Sequence, residues 1–483
     1  MRLLAVTLAA LLLAGCSTAP RMARLPGARW ERTGSSFPAL QHDIDGLLAD
    51  SLFPPSNASV KIVSLSTGET LYEREPRLAF TPASNQKLFT AAAALAVLQP
   101  AYPFVTRLFA DTSSVPTLFL QGSGDPLLTT RDLDSLVAAA LPSLPPGRTW
   151  VVAGDARLFD DVDRGKGWAW DDEPDPTVPF LSPLSLNGNT IRVLVRPGRT
   201  VGDSVRVMTE PRTSFVRIEN AGRTLPDTSH PTLDISRKWR EFSNTITITG
   251  GVGIGDTVIS TKLSIAQPAW YTLTVLREAF EASGVKIGRV MIDSVSARAR
   301  EVARCSHRLD SVLVYMDRTS DNLAAENVLR TLAVHGQGAP GTASGGIAVV
   351  REFLAGIGID TTKTVIADGS GVSRYNLTNA ESIVDLLVAL SKRPDLFPLW
   401  RQTFPIAGVS GTLARRMKNT PAAGNLRGKT GTLNGVSSLS GYVTTADGDM
   451  LAYAVIMEQF PGSPQPYRRV QDLLGALLAG WRR

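Results

Sequence analysis

The spacing of apolar and polar positions changes character several times along this chain. After Met1-Arg2, an unbroken apolar run from Leu3 to Leu13 gives way to Ala14-Gly15-Cys16-Ser17. The run is too short to span a bilayer and reads as an export signal. Residues 17–36, rich in Pro, Arg, Gly and Ser, read as a tether. Helical spacing follows from Phe37 to Leu52, then strands at Val60–Leu65 and Glu69–Tyr72 around a Ser-Thr-Gly turn. From Ser84 to Leu98 the chain is dominated by Ala, Leu and Phe, which fill nearly every place after Lys87. A helix that is apolar all round belongs in the centre of a domain.

Between about 105 and 265 the rhythm becomes one of short alternating runs: Thr117–Leu120, Trp150–Ala153, Thr190–Val195, Ser204–Met208, Ser214–Ile218 and Thr245–Thr249. Gly, Pro, Asp and Asn turns separate them. This predicts a β-rich insertion, either one module or two with one nested in the other. Helical spacing returns at Ala269–Ser283, Asn322–Val334, Gly346–Ile357 and Ala380–Ser391. Strands at Gly428–Leu433, Leu439–Thr444 and Met450–Met457 and a helix at Tyr467–Trp481 close the chain. The predicted fold is α+β: one domain from 37–104 and 266–483, interrupted by the insertion at 105–265.

At 483 residues the chain can hold two or three cores, and 43% hydrophobic with 19% charged residues is ordinary for a globular protein. A net charge of +6, without basic runs or basic–aromatic interleaving, argues against nucleic-acid binding. Of the two cysteines, Cys16 ends a Leu13-Ala14-Gly15-Cys16 stretch similar to a bacterial lipobox, which makes it the expected lipidation site and implies a periplasmic protein held to the outer membrane. The other outcome is an ordinary cut near Ala19. Cys305 has no metal-ligand spacing around it and is expected to be a buried structural thiol.

Three clusters carry candidate chemistry. Ser84-Asn85-Gln86-Lys87 puts a hydroxyl and an amine on one helix face, one turn apart. A lysine desolvated there can accept the serine proton, and the helix N-terminus presents N–H groups to an oxyanion. The spacing alone is weak, because Ser283 and Lys286 repeat it, but there a helix ends and a strand begins. Ser320-Asp321-Asn322 precedes a helix, so it fits either a plain N-cap or a proton relay with an amide that holds substrate. Lys429-Thr430-Gly431-Thr432 sits on a strand. It offers a cation and hydroxyls to a carboxylate, and Gly431 permits close backbone approach.

Together and in this order the three clusters resemble the active site of the penicillin-binding proteins and serine β-lactamases. The separation of Ser84 from Ser320, 236 positions, resembles the class C low-molecular-mass group, the D-alanyl-D-alanine carboxypeptidase/endopeptidases of peptidase family S13. Gly122–Pro126, Gly154-Asp155, Pro183–Asn189, Asp368–Arg374 and Gly441-Tyr442 are similar to that family too. The resemblance implies a transpeptidase-type domain, an antiparallel sheet flanked by helices. It implies Ser84 as acylated nucleophile, Lys87 as base, Ser320 as proton shuttle and Asn322 as positioning amide. Lys429, Thr430, Gly431 and Thr432 would form the carboxylate-binding strand, and the N–H groups of Ser84 and Thr432 the oxyanion hole. Asp155 and Arg374 would grip the charged ends of a diamino-acid side chain, or form surface ion pairs. Asn434 stands where relatives carry a longer amide. Peptidoglycan stem peptides are the implied substrate, β-lactams the implied acylating inhibitors, and no cofactor or metal is expected.

Other chemistries are poorly served. Four histidines, no Gly-x-Ser-x-Gly and no His-Glu-x-x-His disfavour a Ser-His-Asp hydrolase or a zinc peptidase. A β-lactamase or esterase of the same fold, or a non-catalytic lipoprotein that binds cell-wall peptide, remains as an alternative.

Overall fold

A computed structural model describes residues 37–49, 56–227 and 232–483. The expected signal with Cys16 and the 17–36 tether lie outside the described residues.

Both ends of the chain build one antiparallel sheet. Its strand order is Arg427–Leu433, Val436–Thr444, Met450–Glu458, Asn57–Ser64, Thr70–Arg74. The period-two pattern divides the central strand cleanly. Ala452, Ala454 and Ile456 face a helical lobe, while Leu451, Tyr453, Val455 and Met457 face the helices Phe37–Leu48 and Gln465–Gly480. The lobe is centred on the helix Gln86–Val97, in which Leu88, Phe89, Ala91–Ala94 and Leu95 are all buried. Around it stand Leu309–Thr319, Asn322–Gln337, Ala343–Gly356 and Ala380–Ser391. The alanines let these helices pack close, and each fully buried Leu or Phe contributes ~1.5–3 kcal/mol of transfer free energy.

The first inserted module is a mixed five-stranded sheet with the order Lys286–Ile292, Thr149–Asp155, Thr117–Gln121, Pro103–Asp111, Arg300–Arg308. It is covered by Thr130–Ala140, a helix absent from the β-rich expectation, and by Pro268–Ala282. Residues 190–264 form smaller sheets nested within it.

The domain boundary expected at 266 therefore moves to about 309. The helix at 268–282 buries Leu273, Leu276 and Phe280 in the core that holds Trp150 and Val152, and the strands at 286–292 and 300–308 complete the inserted sheet. The switch from strands to helix at 266 marks a change of element within one module. Arg300–Arg308 escaped notice because it is an edge strand with charged side chains facing outward, as exposed edges often are. Cys305 on that strand is half-buried. Burial pushes its thiol up to about 12, so it carries little thiolate.

Candidate active site

Ser84 stands at a strained corner. The expected helix start is one turn of 3-10 helix, Ala83–Asn85, before the α-helix begins at Gln86. Ala83 has φ +47, a left-handed conformation that costs a non-glycine residue ~1 kcal/mol. The corner is held from two sides. Ser438 Oγ donates to the Pro82 carbonyl (2.8 Å), and Asn85 Nδ2 donates to Ser440 Oγ (3.1 Å). From the other side, Gly371 (φ +85) presses on Ala83, whose carbonyl oxygen would lie 1.9 Å from a Cβ at that position. Only glycine fits there.

Lys87, fully buried, donates to three acceptors: Ser84 Oγ at 3.1 Å, Asn322 Oδ1 at 2.5 Å and the Ser370 carbonyl at 2.7 Å. Burial pushes its pKa down to about 8, against the pull of Asp368, Asp321, Asp317 and Glu326. The loop bearing Ser370 is fixed by Glu326, whose Oε1 accepts the N–H groups of both Gly369 and Ser370 at 2.9 Å. Buried Arg330 pairs with Glu326 at 3.2 Å.

The Ser320-Asp321-Asn322 cluster divides its labour. Asp321 takes the N-cap, accepting from Ala324 N at 2.8 Å. Ser320 sits in the left-handed region (φ 62) between two helices, and both its hydroxyl and Asn322 are left facing the cavity. Lys429 Nζ, on the opposite bank, donates to Ser320 Oγ (2.9 Å) and to the Thr430 carbonyl (2.9 Å). Thr430 donates to Thr412 (2.7 Å), and Arg468 donates to Thr432 Oγ1 (3.0 Å). A Cβ on Gly431 would fall 2.2 Å from Ser438 Oγ and 3.0 Å from Ser84 N, so glycine lets this strand lie against the Ser84 corner.

Sequence reasoning missed Asp317. It is fully buried, and among the described residues neither of its oxygens makes a hydrogen bond; the nearby Thr403 hydroxyl is committed to the Trp400 carbonyl. Burial pushes this carboxyl up and the attraction of Lys429 holds it down. Burial and then repulsion from Lys87 push Lys429 down, and Asp317 opposes both. A lone acid in the helix Leu309–Thr319 gave no motif to read.

Ser84, Ser320, Asn322, Thr430 and Thr432 line one cavity of about 1490 Å³, with Lys87 and Lys429 buried behind them. Asp155 does not line it. It ends a central strand of the inserted sheet, 4% exposed, with its carboxylate held by Arg157 (2.8 Å) and by Val295 N (3.3 Å), so of the two roles open to it, a substrate grip or an ion pair, the structure has the ion pair. Five acids reach the cavity: Asp171, Asp172, Glu173 and Asp175, from a loop of the insertion that sequence reasoning passed over, and Asp472. Glu173 is paired with Arg164 and Arg237, and Asp472 with Arg416, which leaves Asp171, Asp172 and Asp175 without a salt-bridge partner among the described residues. Arg374 does line the cavity, and it donates to the Asn434 carbonyl at 2.8 Å. The repeat of the Ser-x-x-Lys spacing is structural: Ser283 Oγ donates back to Ala279 O at a helix end.

Comparison with known proteins agrees with this geometry. The profile of the D-Ala-D-Ala carboxypeptidase 3 (S13) family matches residues 40–477. The D-alanyl-D-alanine carboxypeptidase of Actinomadura sp. (strain R39) is 33% identical over 93% of this chain and 86% of its own. The D-alanyl-D-alanine carboxypeptidase DacB of Haemophilus influenzae is 26% identical over 77% of this chain and 79% of its own. The fold is shared with the crystal structure of penicillin binding protein 4 (dacB) from Haemophilus influenzae: TM-score 0.78 at 23% identity, covering 89% of this chain and 98% of that one.

Proposed function

The chain belongs to the D-Ala-D-Ala carboxypeptidase 3 (S13) family, and we propose that it is a serine D-alanyl-D-alanine carboxypeptidase/endopeptidase acting on peptidoglycan stem peptides through an acyl-enzyme on Ser84. The observation that carries this reading is the Ser84–Lys87 contact of 3.1 Å, facing the Lys429–Ser320 contact of 2.9 Å across one cavity.

The steps follow from the geometry. Neutral Lys87 accepts the Ser84 proton, and Oγ bonds to the carbonyl carbon of the penultimate D-Ala. Negative charge develops on the carbonyl oxygen, next to the N–H groups of Ser84 and Thr432. Ser320 delivers a proton to the terminal D-Ala nitrogen as the C–N bond breaks, and the proton that Lys87 took from Ser84 replaces it, so both groups end the step as they began. Water then cleaves the ester and restores Ser84. Lys429 and the hydroxyls of Thr430 and Thr432 hold the terminal carboxylate, while Asn322 holds the peptide amide. A β-lactam enters by the same attack, but its leaving nitrogen stays tethered. The acidic wall of Asp171, Asp172 and Asp175 and the basic wall of Arg374 and Arg468 suit a diamino-acid side chain with both charges.

The direct test is release of D-Ala from a pentapeptide, with cleavage of a cross-linked dimer followed in parallel. Both reactions should occur, and activity on neither substrate, with rapid β-lactam turnover, would favour a β-lactamase. Asp317→Asn should raise KM for carboxylate-ended substrates about tenfold at pH 7, because burial and Lys87 already push Lys429 down to about 7 and the carboxylate that raises its charged fraction is gone. Acylation by a β-lactam ester, which lacks the carboxylate, should change less than about threefold. Equal losses on both would assign Asp317 a purely structural role.

The lipobox supports a lipid-anchored periplasmic enzyme, with peptidoglycan in reach of its tether. Cys16→Ala should move the protein from the membrane fraction to the soluble periplasm, with penicillin labelling unchanged. Retention in the membrane fraction would refute the anchor.

A further inference from the structure

Trp170 is 69% exposed, more than any other large apolar side chain among the described residues. Its chain neighbours Ala169 and Asp171 both line the catalytic cavity, so Trp170 is carried by a segment of the cavity rim. It leans on Trp239 of the nested module, with centroids 5.2 Å apart and planes at 43°. Phe242, on the same turn as Trp239, is 60% exposed and meets buried Phe180 edge-on at 5.7 Å. On the other side Tyr375, also 60% exposed, packs against Gly167, where a Cβ would fall 2.6 Å from its ring.

The loop that carries Trp170 is pinned. Trp168 Nε1 donates to buried Asp368 (2.9 Å), Asp172 accepts from Ala169 N (2.9 Å), and Glu173 is paired with both Arg164 and Arg237. A rigid aromatic shelf left in water at the lip of a site marks a binding surface.

We propose that this rim binds the glycan strand to which the stem peptide is attached, an inference that rests on the peptidase reading above. Flat aromatic faces match the C–H faces of pyranose rings. Asp171, Glu241 and Arg240, the last lying over the Trp239 ring at 5.0 Å, offer hydrogen bonds of both kinds, as a neutral N-acetylhexosamine chain requires. Acids at Asp171, Asp172 and Asp175 oppose an anionic lipid surface. The geometry of the substrate supplies continuity. A stem peptide extends ~3.3–3.6 Å per residue, so a chain a few residues long anchored at Ser84 brings its sugar end to the rim of the same cavity.

The test uses the full mature chain, with Trp170→Ala and Trp170→Ala/Trp239→Ala variants. Two substrates are compared: a free pentapeptide, and the same pentapeptide on a disaccharide. The variants should lose about tenfold in kcat/KM on the glycosylated substrate, mostly through KM, and less than about twofold on the free peptide. Trp170→Phe should retain most of the glycan effect. Binding to peptide-stripped glycan strands should fall in parallel, and this readout stands whether or not the peptidase reading does. Equal losses on the two substrates, unchanged glycan binding, or loss of binding to anionic vesicles instead would each overturn the proposal.

Discussion

Ser84→Ala should leave the protein folded and reduce D-Ala release by roughly 10⁴-fold or more, with covalent penicillin labelling abolished. Among the described residues no other hydroxyl hydrogen-bonds to the buried amine of Lys87. Ser320 is held by Lys429 across the cavity, and Thr430 and Thr432 are engaged by Thr412 and Arg468. Removing Oγ takes nothing from the core, because the corner is fixed by Ser438 and Asn85. The melting temperature should therefore stay within a few degrees of wild type. Substantial labelling of the variant would shift the nucleophile to another residue.

Lys87→Met should cost roughly 10³-fold in acylation, at the scale of a lost general base. Methionine fills much of the buried volume, so the deficit reports chemistry more than packing. The sign of the pH dependence is fixed by the direction of the shift. Burial lowers Lys87 to about 8 from the ordinary lysine value, so its neutral, proton-accepting form grows as pH rises through 8. At pH 7.4 about a fifth of the enzyme would hold it neutral, against roughly 0.1% for an exposed lysine. Acylation by wild type should rise through this window, and the variant should lose that limb. A variant that kept the limb would locate the base elsewhere.

The core of this site was legible because each motif comes with its own local structure. Ser84 precedes a helix whose alanines and leucines leave no polar face, and Lys429 lies on a strand whose glycine can only be read as close approach. Asp321 could take the helix cap that its neighbours also fit, and this division of labour needed coordinates to see. The two-ended domain was legible in outline, because strands appear at both ends of the chain and an alternating insertion lies between.

What escaped the sequence depended on contacts between distant segments. The helix at 268–282 reads the same whichever core it covers, and only its packing beneath Trp150 places it in the insertion. Asp155 looked apt by charge, but its strand ends inside the inserted module, where Arg157 and Val295 consume the carboxylate. Asp171, Asp172 and Asp175 sit in an irregular loop with no periodicity, yet that loop forms a wall of the cavity. Asp317 is one acid on an amphipathic helix, and its placement near Lys429 comes from the turn at Ser320.

The most direct test is to find the acylated atom. The protein is incubated with penicillin, digested, and the adduct located by mass spectrometry, with Ser84→Ala treated alongside. One adduct per chain on the peptide containing Ser84, absent from the variant, is the predicted result. An adduct on Ser320 or on any other residue, or none on a protein that still releases D-Ala, would contradict it.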